Sequence, residues 1–191
     1  MEIEQKYIVR NGDFDSVRRK LADMGFARGK EKHQIDVYFL KSDQPDTDLH
    51  FKADGLPAYL RLRHDVIANT FSFDIKLIRH WEFYDEYETR IADQKSFKDC
   101  EYILSLLGYK RGCIIDKRRE PWNKNEIEVV LDDIAGLGKF IEIEILADEK
   151  DKDAAAARIE EIANELELSP DDRMKTGYVD LWSLKKSGTA F

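Results

Sequence analysis

The strongest constraint in this sequence is the regular alternation of charged and apolar residues along several short segments. Side chains two positions apart in a β-strand point to the same face, so Glu2, Glu4 and Lys6 project together while Ile3 points the other way. The same spacing recurs in Arg61–Arg63, Asp74–Lys76, Glu86–Arg90, Lys117–Arg119, Glu126–Asp132 and Glu142–Glu144. The pattern predicts strands that each carry one charged face.

Period-two alternation predicts a chain that consists mainly of strands. The predicted strands are Glu2–Val9, Ile35–Leu40, Tyr59–His64, Thr70–Ile78, Tyr84–Ile91, Ile114–Arg119, Glu126–Asp132 and Phe140–Leu146. Apolar residues at helical spacing predict three helices. These are Asp13–Met24, Ser96–Leu107 and Asp153–Leu166.

The sequence also contains an internal repeat. The segment Glu2-Ile-Glu-Gln-Lys6 reappears as Glu86-Tyr-Glu-Thr-Arg90, and each copy is followed by a predicted helix. The exits of those helices match as well, as Met24-Gly-Phe-Ala-Arg-Gly29 and Leu107-Gly-Tyr-Lys-Arg-Gly112. The repeat predicts two similar strand-helix-strand halves. A length of 191 residues fits a single domain covering 1–191.

The charged faces allow two interpretations. On a single antiparallel strand, a charged face usually lies in water while the other face packs on a core. Repeated charge pairs with few Ser, Thr or Asn residues among them instead favour faces that converge inside a closed barrel. Eight strands can enclose one small ligand, with helices covering the apolar outside. We therefore predict an α+β fold, an eight-stranded antiparallel β-barrel with a charged interior.

The types of charged residue indicate what such an interior would bind. Guanidinium and ammonium groups bind phosphates, the first through a bidentate fork and the second as a point charge. The candidate phosphate-binding residues are Lys6, Arg61, Arg63, Lys76, Lys117 and Arg119. Clustered carboxylates without accompanying Cys or His ligands suit Mg²⁺ or Mn²⁺. Together these groups predict a site for a metal ion and a polyphosphate.

The ordered motifs resemble the CYTH family, also called the triphosphate tunnel metalloenzymes. The resemblance rests on Glu2-x-Glu4-x-Lys6, Gln34-Ile-Asp36-Val-Tyr38-Phe39, Leu60-Arg-Leu-Arg63, Lys76, Glu86-x-Glu88, Lys117-Arg-Arg119, Leu131-Asp132, Gly136-Leu-Gly138-x-Phe140, Glu142-Ile-Glu144 and Gly177-Tyr-Val-Asp-Leu-Trp182. The match covers nearly the whole chain. One departure is Tyr84, at a position where the family often has a basic residue.

The resemblance implies a role for each matched residue. Glu2, Glu4, Asp132, Glu142 and Glu144 would bind the metal ion or its water, and the six cations above would bind the triphosphate. The catalytic set would be Glu2, Glu4, Lys6, Asp132 and Glu142. Glu86 and Glu88 would belong to the metal set or support it.

The sequence is compatible with three functions. The chain length, the Gln34–Phe39 motif and the Gly136–Gly138 turn look more like the class IV adenylyl cyclases, which convert ATP to cyclic AMP and pyrophosphate. The same residues could instead direct water at the terminal phosphorus of inorganic triphosphate, thiamine triphosphate or a nucleoside triphosphate. A third alternative is a binding module that senses a polyphosphate or nucleotide without turnover.

Composition narrows the expected partners and location. A net charge of −8 argues against a nucleic-acid partner, because duplex binding usually needs a basic surface. No apolar run is long enough to span a bilayer, and the first residues do not resemble a secretory signal. Cys100 and Cys113 form no disulfide framework. We expect a cytoplasmic protein without a membrane partner; a homodimer is implied only by the resemblance to class IV cyclases.

Overall fold

The computed structural model describes residues 1–10, 12–46, 48–80 and 82–189. Its strands are β1 (Glu2–Ile8), β2 (Ala27–Arg28), β3 (Lys32–Lys41), β4 (Phe51–Ala53), β5 (Leu56–Asp65), β6 (Thr70–His80), β7 (Phe83–Ile91), β8 (Tyr109–Lys124), β9 (Ile127–Ile134), β10 (Gly138–Leu146) and β11 (Arg173–Met174). Its helices are α1 (Asp15–Asp23), α2 (Gln94–Leu106), α3 (Lys152–Glu165) and α4 (Tyr178–Lys186). Short 3₁₀ turns cover Glu149–Asp151 and Pro170–Asp172.

The chain divides into two compact units, each assembled from separate stretches of sequence. The first unit contains Met1–Glu31, His80–Tyr84 and Lys117–Lys175. The second contains Lys32–Arg79, Asp85–Asp116 and Thr176–Phe191. Neither unit corresponds to one half of the sequence repeat, because each unit combines segments from both halves.

In the first unit, β10 lies between β9 and β1, and all of these pairings are antiparallel. The apolar face of this sheet includes Ile3, Val129 and Ile143, each 0% exposed. Helices α1 and α3 pack onto that face through residues such as Leu21 and Ile159. The charged residues of β1 alternate with this apolar set, so they project from the opposite face.

In the second unit, β5 pairs with β3 on one side and with β6 on the other, again antiparallel. Val37, Leu60 and Leu62 form the apolar face of these strands and pack with Leu104 of α2. Helix α2 begins where the Asp93 carboxylate accepts a hydrogen bond from the Ser96 amide at 2.7 Å, a side-chain N-cap. As in the first unit, the helix covers the apolar face.

The predicted fold class is confirmed by the order of the strands. The hydrogen-bonded order runs β10-β9-β8-β3-β5-β6-β7-β1, and β1 pairs again with β10. This is a closed, eight-stranded antiparallel barrel with helices on the outside. The charged faces are buried: Asp36 and Asp132 are both 0% exposed. The single domain spanning 1–191 stays a prediction.

Each of the eight predicted strands and three predicted helices is present, but the sequence analysis missed several elements. The predicted strand Ile114–Arg119 is the centre of the much longer β8, which continues through Pro121. Helix α4 and the short strands β2, β4 and β11 were not predicted. Within the part of the chain that the structure describes, no helix is long and apolar enough to cross a membrane.

Candidate functional site

The predicted site residues occur in two clusters, one in each compact unit. The first unit holds Glu2, Glu4, Lys6, Lys117, Arg119, Asp132, Glu142 and Glu144. The second unit holds Arg61, Arg63, Lys76, Glu86 and Glu88.

The register of β1 against β10 creates the first cluster. Glu4 lies directly opposite Glu144, and Lys6 lies directly opposite Glu142. Residues opposite each other in an antiparallel pair have Cβ atoms about 4.5–5.5 Å apart, so opposite charges there attract and like charges repel. One cross-strand pair therefore combines a cation with an anion, while the next places two carboxylates together.

A candidate metal site lies at the pair of like charges. Carboxylate oxygens of Glu2, Glu4 and Glu144 all lie within 4.8 Å of one another. Glu4 is only 3% exposed, and its two neighbours are partly buried. Oxygen-only ligands suit Mg²⁺ or Mn²⁺, and a divalent cation would offset the repulsion among these carboxylates. The residues present therefore fit the metal ion that the sequence predicts.

Two cations of the first cluster are held by carboxylates. Lys6 donates to Glu4 and lies 2.7 Å from an oxygen of Glu142. Arg119 donates to both oxygens of Asp132, at 2.8 and 2.6 Å, and also to Glu142. Glu142 therefore bridges a lysine and an arginine. Glu142 is therefore paired with cations and is not one of the three carboxylates that form the candidate metal site.

Lys117 belongs to the same charged face of β8 as Arg119, because the two residues are two positions apart. Lys117 is 3% exposed and lies opposite Ile134 of β9. Tyr84, the departure from the family pattern, is buried with its ring centroid 5.8 Å from Lys6 Nζ. At this position, where the family often has a basic residue, the ring of Tyr84 contacts the cation of Lys6 and adds no positive charge of its own.

Arg61 organises the second cluster. Its guanidinium donates to Asp74 at 2.9 Å and to Glu86 at 2.8 Å, and it lies 3.6 Å from Asp36. Burial alone would lower the pKa of Arg61, but the surrounding anions, Asp74 foremost, raise it well above its usual value. Arg61 is therefore a permanent buried cation.

The remaining residues of the second cluster extend the same network. Arg63 forms a bidentate pair with Asp36 at 2.7 and 2.9 Å, and Lys76 lies 3.9 Å from Glu86. Burial raises the pKa of the Asp74 carboxyl in spite of the nearby Arg61. Glu88, by contrast, is exposed. The structure therefore places Glu86 with the cations and Glu88 at the surface.

Asp36 and Asp74 were not among the predicted site residues, although they are the principal counter-ions of Arg61 and Arg63. A signal was present for each. Asp74 precedes Lys76 by two positions, and Asp36 stands between Ile35 and Val37 in a predicted strand. A carboxylate on the same face as several cations is a candidate partner for them. Alternation alone, however, does not reveal the register between strands, which places Asp36 opposite Arg63 and Asp74 opposite Arg61.

Comparison with known proteins identifies the family. The model of the CYTH domain matches residues 1–178. The chain belongs to the CYTH domain family. Members of this family act on triphosphates and use divalent metal ions, which agrees with the carboxylates and cations of this CYTH domain.

Three similar proteins illustrate the match. "Putative adenylate cyclase MJ0240" of Methanocaldococcus jannaschii is 31% identical over 187 residues, which is 95% of this chain and 99% of that protein. The structure of PH1012 from Pyrococcus horikoshii has a TM-score of 0.79 at 23% identity, covering 95% of this CYTH chain and 99% of the other. HpAC1 from Hippeastrum, described as a "putative adenylyl cyclase" with a dominant triphosphatase activity, has a TM-score of 0.68 at 15% identity, covering 100% of this chain and 96% of the other.

Proposed function

We propose that this CYTH protein is a metal-dependent adenylate cyclase that converts ATP to cyclic AMP and pyrophosphate. The observation that carries the proposal is the approach of the Glu2, Glu4 and Glu144 oxygens to within 4.8 Å, beside the buried Lys6. Full-length similarity to "Putative adenylate cyclase MJ0240" supports it. These carboxylates and cations suit nucleotidyl transfer, because that reaction depends mainly on positioning the substrate and neutralising its charge.

In this proposal, Glu2, Glu4 and Glu144 hold Mg²⁺ or Mn²⁺, while Asp132 and Glu142 hold Arg119 and Lys6 in place. The bound ion would supply Lewis acidity and lower the pKa of the attacking hydroxyl. Asp132 and Glu142 also remain proposed ligands of metal-bound water, as the family resemblance implies. That the ion is Mg²⁺ or Mn²⁺ is part of the proposal.

The phosphates of ATP would be bound by the buried cations. Those of the first cluster are Lys6, Lys117 and Arg119, and those of the second are Arg61, Arg63 and Lys76. With the triphosphate held in place, the ribose 3′-hydroxyl gives up its proton to solvent water and its oxygen bonds to the α-phosphorus, while the bond from that phosphorus to the pyrophosphate oxygen breaks. The cations stabilise the negative charge that accumulates on the leaving pyrophosphate.

A triphosphatase is the second candidate, because the Hippeastrum protein is described as having dominant triphosphatase activity. The same carboxylates and cations would then direct water at the terminal phosphorus of inorganic triphosphate, thiamine triphosphate or a nucleoside triphosphate. Cyclase and triphosphatase differ in the nucleophile that is positioned, the ribose 3′-hydroxyl or water, and in the phosphorus that it attacks. The cytoplasmic location and the homodimer remain predictions.

Phosphorus NMR of the purified chain distinguishes these functions. The protein is incubated with Mg²⁺ or Mn²⁺ and, in separate samples, with ATP, tripolyphosphate or thiamine triphosphate. Pyrophosphate together with cyclic AMP supports the cyclase, whereas orthophosphate supports the triphosphatase. Bound but unchanged substrate after prolonged incubation would instead indicate a binding module. Glu4→Gln serves as the control for contaminating activity.

A further inference from the structure

The ion pairs of the first cluster raise a question about how a triphosphate could bind there. Lys6 is buried, with 10% of its side chain exposed, and is already engaged by Glu4 and by Glu142. A phosphate that approaches Lys6 must therefore compete with two carboxylates. Such competition is costly in a region of low dielectric constant, where paired charges attract strongly.

Glu4 has two roles in this arrangement. It accepts from Lys6 along its own strand, and it contributes an oxygen to the group formed with Glu2 and Glu144. A divalent cation held by that group would share Glu4 with Lys6. Because like charges repel, the ammonium of Lys6 would then be held less strongly by Glu4. The flexible stem of a lysine allows its point charge to move to another anion.

We propose that Lys6 is an exchangeable counter-ion that leaves Glu4 when the carboxylate is engaged by a divalent metal ion, so that metal binding makes Lys6 available to the triphosphate. The inference rests on the proposed function, whose metal and phosphate residues it couples. Lys6 keeps Glu142, the residue directly opposite on β10, as its second partner. Metal and triphosphate then bind with positive cooperativity, and each increases the affinity of the other by the same factor.

The coupling has an unusual consequence in the absence of metal. Glu4→Gln removes the charge that retains Lys6, so this variant should bind tripolyphosphate in EDTA more tightly than the wild-type chain does. Coupling between sites is typically about 5- to 150-fold, and we expect a gain within that range. Isothermal titration calorimetry with inorganic tripolyphosphate measures it.

A matched control separates this effect from a general change in charge. Glu144→Gln removes the same charge from the opposite strand but keeps the Lys6–Glu4 pair, so its gain in tripolyphosphate affinity should be distinctly smaller. In the double variant Lys6→Met/Glu4→Gln the gain should disappear. An equal gain in Glu144→Gln, a gain that survives in the double variant, or none in Glu4→Gln overturns the proposal.

A second measurement uses the wild-type chain and does not depend on any variant's stability. The Lys6 side-chain signal in a ¹³C-lysine NMR spectrum, assigned by its loss in Lys6→Arg, should shift along the same titration curve as Mg²⁺ binding. A stationary signal while Mg²⁺ binds contradicts the exchange but leaves the proposed function intact. Failure of the wild-type chain to bind Mn²⁺ or Mg²⁺ at all would instead overturn the proposed function.

Discussion

The two clusters of charged residues differ in the number of carboxylates relative to the number of cations. Among the residues described above, the first has five carboxylates and three cations, as Glu2, Glu4, Asp132, Glu142 and Glu144 against Lys6, Lys117 and Arg119. The second has three of each, as Asp36, Asp74 and Glu86 against Arg61, Arg63 and Lys76. A cluster with excess negative charge favours an added cation, whereas a balanced one is already an ion-pair network.

The repeated motif shows that sequence similarity does not decide which cluster forms. Glu4 and Glu88 occupy the same place in the two copies, yet Glu4 is 3% exposed and Glu88 lies at the surface. The difference lies in the neighbouring strand. Glu4 has Glu144 opposite it on β10, and this second carboxylate completes the candidate metal site.

The largest expected effect contrasts these two motif copies. Glu4→Gln should lower metal-dependent turnover at least about 1,000-fold, because a metal ion supplies several kcal/mol of transition-state stabilisation. Glu88→Gln, the matched change at the surface, should leave turnover unchanged. Steady-state rates with Mn²⁺ and ATP measure both, and circular dichroism verifies the fold. Equal losses in the two variants would show that the copies act alike.

Removing the central cation tests whether the second cluster is a balanced network. Arg61→Met leaves Asp74 and Glu86 without their shared arginine, and breaking a buried pair costs about 3–5 kcal/mol. Arg79→Met is the control, because Arg79 is 52% exposed in its pair with Asp85 and such pairs contribute roughly 0–1 kcal/mol. Urea unfolding at pH 7 measures both. Similar losses of unfolding free energy in the two variants would show that the ion pairs of Arg61 stabilise the fold no more than a surface pair does.

Metal binding tests the excess negative charge of the first cluster. Free Mn²⁺ at 100 times its dissociation constant should raise the free energy of unfolding by about 2.7 kcal/mol, since only the folded chain presents the assembled carboxylates. Glu4→Gln should lose this stabilisation, while Glu86→Gln in the balanced cluster should keep it. Stabilisation of Glu4→Gln equal to that of the wild type would place the ion elsewhere.

The smallest effect concerns Glu120, a carboxylate of the first unit that already has its own cations. Burial alone would raise its pKa, but hydrogen bonds from Arg18 and Trp122 outweigh burial and lower it below 4.5. Arg28 adds a further ion pair at 3.0 Å. This stabilisation is therefore present above about pH 4.5 and is lost as the pH falls through the lower folded pKa.

Glu120→Gln should accordingly be less stable than the wild type by about 1.5 kcal/mol at pH 7. The gap should narrow as the pH falls below about 4.5 and through the lowered folded pKa, because the wild-type carboxylate is then neutralised as well. Thermal or urea unfolding at pH 7 and across that acidic range measures it. A gap that stays constant with pH would show that Glu120 stabilises through packing and not through its charge.

Alternation along the sequence was sufficient to predict the eight barrel strands and the charged faces, because a period of two is a local property. It was insufficient for β8, where Glu120, Pro121 and Trp122 interrupt the pattern. Pairing with β9 and β2 extends the strand there, and this depends on residues distant in sequence. Helix α4 has no clear apolar stripe, and its buried residues Tyr178 and Leu181 are fixed by tertiary packing.

The sequence was sufficient to predict which residues form the candidate site but not which of them pair with each other. Residue types and the family resemblance pointed to Glu2, Glu4 and Glu144, which the structure brings together. That Glu142 bridges Lys6 and Arg119 depends on the register of β1 against β10 and on the registers of β8 and β10 against β9, which no single segment encodes. The roles of all these residues in binding and turnover remain predictions.

The interleaved composition of the two units has a consequence for biosynthesis. Strand β1 is translated before its partner β10, and the whole of the second unit except its last segment lies between them. Until then the nascent Glu4 and Lys6 lack the Glu144 and Glu142 that lie opposite them on β10. Closure of the barrel must therefore wait for late contacts, and such long-range pairing slows folding and prolongs exposure to aggregation.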